Sequence, residues 1–136
     1  MKHWIYALAL AVSGLLSGTS WAQTGPTDCV AAFVDAKMVV DEYSPRGQCR
    51  LPDTTTGELA VYTVDLSPTA SIPQEKIDFQ VGIRDKATGT ITMFSRKKYR
   101  QVPVQTVLAK CQKGDRIVLM AVGKQYALPH NEILVL

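Results

Sequence analysis

EKIDFQVGIRDKATGTITMFSRKKYR, residues 75–100, decides how the rest of the chain is read. Ile77, Phe79, Val81 and Ile83 alternate with Asp78, Gln80, Gly82 and Arg84. A period of two over eight residues marks a strand with one buried and one open face. Asp85-Lys86-Ala87-Thr88-Gly89 then supplies turn residues before a second β-prone run, so the stretch reads as an antiparallel hairpin. Setting Ile83 opposite Ile91 and Val81 opposite Met93 keeps apolar side chains on one face, because directly opposed residues share a face. That register leaves a three-residue loop with Gly89 beside it. It assigns Ile91 and Met93 to the core. The outer face then holds Asp78, Gln80, Gly82 and Arg84 opposite Thr92, Phe94, Arg96, Lys98 and Arg100, a cationic surface with one aromatic ring. Such a surface suits an anionic or planar ligand. Arg84, Phe94, Arg96, Lys98 and Arg100 are therefore the candidate ligand-binding residues. A bulge between Ser95 and Arg100 would move the later ones to the other face.

Working outward, Leu59–Leu66 is β-prone and ends at Ser67-Pro68. Pro103 can open a helix, and Val104, Val107, Leu108 and Cys111 fall at i, i+3, i+4 and i+7 along it. Lys113-Gly114-Asp115 closes that helix after Gln112. Arg116–Val122 and Glu132–Leu136 read as two further strands. Upstream, Val30, Phe33, Val34 and Met38 form an apolar stripe at helical spacing behind a Thr27 or Asp28 cap, so residues 27–43 are expected to be a helix. Residues 44–58, with two prolines and two glycines, are expected to be a long loop. No repeat or linker divides the chain, and residues 23–136 are expected to form one globular domain.

The first 22 residues stand apart. Lys2 supplies a positive start, Ile5–Gly18 is an apolar or small-residue run, and Ser20-Trp21-Ala22 places small residues at the −3 and −1 cleavage positions. This is the pattern of a cleaved secretory signal, and it implies a periplasmic or secreted product. The apolar run is shorter than the roughly 20 residues a membrane helix needs, so no span is expected in the mature chain. The whole chain carries 15 basic against 12 acidic residues, and loss of Lys2 brings the balance nearer to neutral. A globally basic nucleic-acid binder is not indicated.

Cys29, Cys49 and Cys111 remain after export, and an oxidising compartment favours pairing two of them. Cys111 falls on the buried stripe of the later helix, where a free thiol acts as a small hydrophobe. Cys29–Cys49 is therefore the expected disulfide, worth about 3 kcal/mol through closure of a loop of about 20 residues. The other two pairings, or an intermolecular bridge through an exposed Cys111, stay open.

Downstream of the first helix the element order is strand, strand, strand, helix, strand, strand. With its IRDKATGTITMF hairpin and KCQKGDRIVLMAV helix-to-strand passage, residues 59–136 resemble the OB-fold superfamily. The N-terminal helix is similar to that of small exported bacterial OB-fold proteins. The resemblance implies an α+β, mostly β chain: an N-terminal helix, then a five-stranded Greek-key barrel with one helix between its third and fourth strands. It also implies a binding module, with the ligand on the outer face of the second and third strands.

Catalytic chemistry has little to work with. His130 is the single imidazole after signal removal, and no glycine-flanked serine motif occurs. No two Cys or His residues have zinc-ligand spacing, and no glycine loop would cradle a phosphate. No cofactor or metal is expected. The expected function is a small exported, non-catalytic binding protein for an anionic ligand or an envelope protein. An inhibitor or immunity protein against a secreted toxin or envelope enzyme is the alternative, and an enzyme using Cys111 or His130 a third reading.

Overall fold

The computed structural model describes residues 28–66 and 71–136. The expected signal, residues 1–22, lies outside them. The described residues form eleven strands and one helix, arranged as two sheets around a shared core.

The first sheet begins with β1 (Asp28–Val34), which turns through Asp35-Ala36 into β2 (Lys37–Met38). This replaces the expected helix over residues 27–43. Val30, Ala31, Ala32 and Phe33 are all buried, so neither face of β1 is polar and the alternation that would mark a strand is missing. Asp35 makes the two-residue turn with φ of 54°, a conformation its short side chain tolerates. Its carboxylate accepts the Glu58 amide at 3.0 Å, while its own amide donates to the Glu58 carbonyl at 2.9 Å. The hairpin is thereby pinned to β4 (Glu58–Leu66), which also pairs antiparallel with β1 along its length.

Residues 44–58 are not one loop. Val40 bridges Cys49, and β3 (Arg50–Leu51) joins the second sheet. The expected Cys29–Cys49 disulfide is absent: all three cysteines are free thiols. Cys29 is exposed on β1, whereas Cys49 is buried with its thiol towards the His130 carbonyl at 3.8 Å. The Tyr43 hydroxyl, which donates to the Val30 carbonyl at 3.1 Å, is the group that reaches the Cys29 thiol.

β5 (Ser71–Ile77) pairs with β4 and contains Pro73, which sits where the register shifts between Tyr62 and Val64. A bulge is one of the few strand positions that accept a residue without an N–H. Only Asp78 separates β5 from β6 (Phe79–Arg84), yet β6 belongs to the second sheet. One extended run therefore crosses from sheet to sheet, and Ile77, Phe79 and Val81 stay on its buried side throughout.

β7 (Ile91–Met93) pairs with β6 as a hairpin, but in a register one residue away from the expected one. Gly82 faces Met93, Ile83 faces Thr92, and Arg84 faces Ile91. The cause is the turn. The Asp85 amide donates to the Thr90 carbonyl at 2.9 Å, the Gly89 amide donates to the Asp85 carbonyl at 2.8 Å, and the Asp85 carboxylate accepts the Ala87 and Thr88 amides. Four residues, 86–89, close the loop where three were expected, and each residue of β7 changes face. Ile91 and Met93 are consequently exposed instead of buried.

β8 (Val102–Pro103) leads into α1 (Val104–Leu108), where Val104, Val107 and Leu108 are buried as expected, but the helix ends at Leu108 instead of Gln112 and leaves Cys111 half-buried beyond it. β9 (Arg116–Ala121), β10 (Tyr126–Ala127) and β11 (Glu132–Val135) complete the elements of the described residues. The first sheet runs β10-β1-β4-β5, with β2 and β8 at its margins, and the second runs β3-β11-β9-β6-β7. The sheets face each other across Val30, Leu59 and Val61 on one side and Phe79, Ile117, Leu119 and Ile133 on the other. Among the described residues no closed barrel forms and no N-terminal helix precedes it, so the OB-like architecture expected for residues 59–136 is overturned.

Candidate functional site

The second sheet brings together cations that lie far apart in the sequence. Arg84 on β6 is directly opposite Arg116 on β9, Arg116 opposite Leu134 on β11, and Leu134 opposite Arg50 on β3. Directly opposed residues share a face, so the three arginines form one transverse row on the sheet's outer side. With strands about 4.8 Å apart, Arg84 and Arg116 are neighbours, and Arg50 stands about 10 Å beyond Arg116 with Leu134 between them. The row borders a depression of about 620 Å³ that His130 and Glu132 also line.

The three arginines are not equivalent. Arg84 is fully committed: Nε donates to Glu132 Oε1 at 2.9 Å, Nη2 to Glu132 Oε2 at 3.2 Å, and Nη1 to the Gly89 carbonyl at 3.0 Å. The bidentate bond to Glu132 raises the Arg84 pKa further above its ordinary value, so it stays a guanidinium at every accessible pH. Arg50 and Arg116 are exposed, and neither takes part in an ion pair among the described residues. Glu132 thus neutralises one arginine and leaves two charges for a ligand.

At the rim, His130 meets the Tyr43 ring edge-on at 5.6 Å between centroids. Burial, and then the nearby Cys29 thiol, push the Tyr43 phenol up to about 12. Burial and the charge of Asp41 push the Cys49 thiol up to about 11. Cys111, half-buried with its thiol 3.4 Å from the Val107 carbonyl, is also raised to about 11 by burial and by Asp115. Neither raised thiol is a thiolate near neutral pH, and both pack as small apolar groups. Among the described residues no cluster of three or more His, Cys, Asp or Glu could hold a metal ion.

The residues expected to form a hairpin site are dispersed. Arg84 belongs to the row. Phe94 turns inward, packing against the core with its ring 6.3 Å from that of Tyr99. The pairing of β6 lapses after Phe94 and resumes at Tyr99, which bridges Phe79. Arg96 and Lys98 lie exposed in the excursion between those two residues. Arg100 donates to the Lys76 carbonyl at 2.9 Å and approaches Asp78 at 3.5 Å, at the far end of β6 from Arg84. Six residues of extended chain separate these ends by about 20 Å, so the five do not make one site.

Arg50, Arg116 and Glu132 escape sequence reasoning because only strand pairing assembles them. Their local signal is a charged residue heading an apolar strand: Arg50 before Leu51, Arg116 before Ile117–Ala121, Glu132 before Ile133–Leu136. No family model, no curated protein and no solved structure matches this chain.

Proposed function

We propose that this protein is a non-catalytic binding protein that takes an anionic ligand on the outer face of its second sheet. The observation that carries the reading is the pair of uncommitted guanidinium groups, Arg50 and Arg116, aligned with an Arg84 already fixed by Glu132. Arginine presents a planar fork that matches carboxylate and phosphate oxygens two at a time, and its charge does not titrate. The depression beside the row gives such a ligand a concave seat. Export through residues 1–22 belongs to the same proposal and is supported by the sequence alone.

Titration of isotope-labelled protein with citrate and with phosphate tests it. Amide shifts should centre on Arg50, Arg116 and residues 130–134. The double variant Arg50→Gln/Arg116→Gln should bind about tenfold more weakly or worse, since each charge-assisted contact contributes about 1.5 kcal/mol or more. Its residual binding should also depend less on salt. Shifts centred on Arg96, Lys98 and Arg100, or an unchanged affinity in the folded double variant, would move the site away from the row.

A further inference from the structure

Three large hydrophobic side chains are exposed among the described residues: Ile91, Met93 and Leu136. All three fall on the face that carries the arginines. Ile91 is opposite Arg84 and Met93 is opposite Gly82, so both point outward with Arg84. Leu136 follows β11 with its amide still bonded to the Leu51 carbonyl at 2.9 Å, and alternation sets it on the side of Leu134 and Glu132. The apolar groups near β6 are continuous. A Cβ at Gly82 would lie 2.9 Å from Ile91 Cγ2 and 3.5 Å from Met120 Cε, so those two side chains lean over the bare glycine. Val118, opposite Gly82 in the same transverse line, is only 4% exposed beneath them. The cationic row thus has apolar groups around it, Ile91 and Met93 beyond its Arg84 end and Leu136 alongside it, two residues past Leu134.

Resting on the anion-binding reading, we infer that the ligand is a protein, one presenting carboxylates bordered by apolar side chains. Exposed large hydrophobics gathered on one face mark association surfaces, and arginine with methionine is enriched in them. The sheet already contains the contact in miniature: Arg84 grips the Glu132 carboxylate with two parallel hydrogen bonds. A second copy of this chain is disfavoured, because two such faces brought together would oppose their uncommitted arginines. An anionic bilayer is flat on this scale and does not fill a 620 Å³ depression.

Fluorescence anisotropy of the full chain with two short peptides tests the inference, one repeating Glu-Glu-Leu-Leu and one repeating Glu-Glu-Ser-Ser. The leucine peptide should bind about tenfold more tightly. Ile91→Ser/Met93→Ser, surface changes that leave the core intact, should erase that margin by weakening the leucine peptide more than the serine peptide. Arg50→Gln/Arg116→Gln should weaken both peptides. Equal affinities, or a margin that survives in Ile91→Ser/Met93→Ser, would overturn the inference while citrate and phosphate binding stood. Tight binding to phosphatidylserine vesicles with no preference between the peptides would overturn it in favour of a membrane. Failure of peptides, citrate and phosphate alike would instead remove the anion-binding reading beneath it.

Discussion

Asp115 is a buried carboxylate with two backbone amides aimed at it. Oδ2 accepts the Gln112 amide at 2.8 Å and Oδ1 accepts the Lys86 amide at 3.0 Å, so one side chain ties the β6–β7 turn to the turn before β9. The Gln112 amide is the main cause of a pKa held below the ordinary aspartate value of 3.8, with the Lys86 amide and charge acting in the same direction. A depressed folded-state pKa contributes stability above the unfolded value and loses it as pH falls through the folded one. Asp115→Ala should therefore cost about 2 kcal/mol at pH 7, read from urea melts. It should also flatten the loss of stability that the parent protein shows from about pH 4 downward. Parallel pH profiles for parent and variant would show that ionisation of Asp115 adds nothing to the acid limb, and superimposed ones that the residue is dispensable. The residue's part is not legible in the sequence, because Lys113-Gly114-Asp115 reads equally well as a helix stop.

At the scale of elements, what the sequence discloses follows from how many faces each strand buries. β6 is plain because Phe79 and Val81 go in while Gln80 stays partly open. β1 mimics a helix because both of its faces are buried, and Val30, Phe33 and Val34 fit helical spacing by coincidence. The β6–β7 register is hidden for a different reason: turn length depends on where one carboxylate bonds, and composition does not reveal that. Gly89 holds the left-handed position of this turn at φ of 72°, and a Cβ there would stand in open space with no atom within 4 Å. Gly89→Ala should thus incur the backbone cost alone, about 1 kcal/mol, with the Gly82–Met93 pairing retained. A loss of several kcal/mol by denaturant unfolding, or a shifted register in amide cross-peaks, would show that the turn does more than close the loop. The candidate site obeys the same logic. Arg84 is legible because it lies in the hairpin, and its partners are not, because their adjacency exists only after β3, β11, β9 and β6 align.

Across the whole molecule, the crossing at Asp78 holds the two sheets in one core. Phe79 is the first residue beyond it, fully buried and joined by backbone hydrogen bonds in both directions to Tyr99. Phe79→Ala should cost about 3–5 kcal/mol, since the cavity would open where the sheets meet and neither could close over it alone. Calorimetry should show one lowered transition. Two separate transitions would mean that the sheets melt independently.

The order of pairing also governs when the protein can be finished. Cys49 touches His130, 81 residues further on, and β3 beside it is held in the second sheet by β11 alone among the described strands. A chain emerging from its N-terminal end can form the β1–β4 pairing early, but β3 waits for β11, far along the chain. Non-local parallel pairing of this kind slows folding, because loop closure comes before any reward in contacts. Until β11 arrives, Arg50 is an unanchored cation, so the arginine row comes into being only once β11 has paired with both β3 and β9.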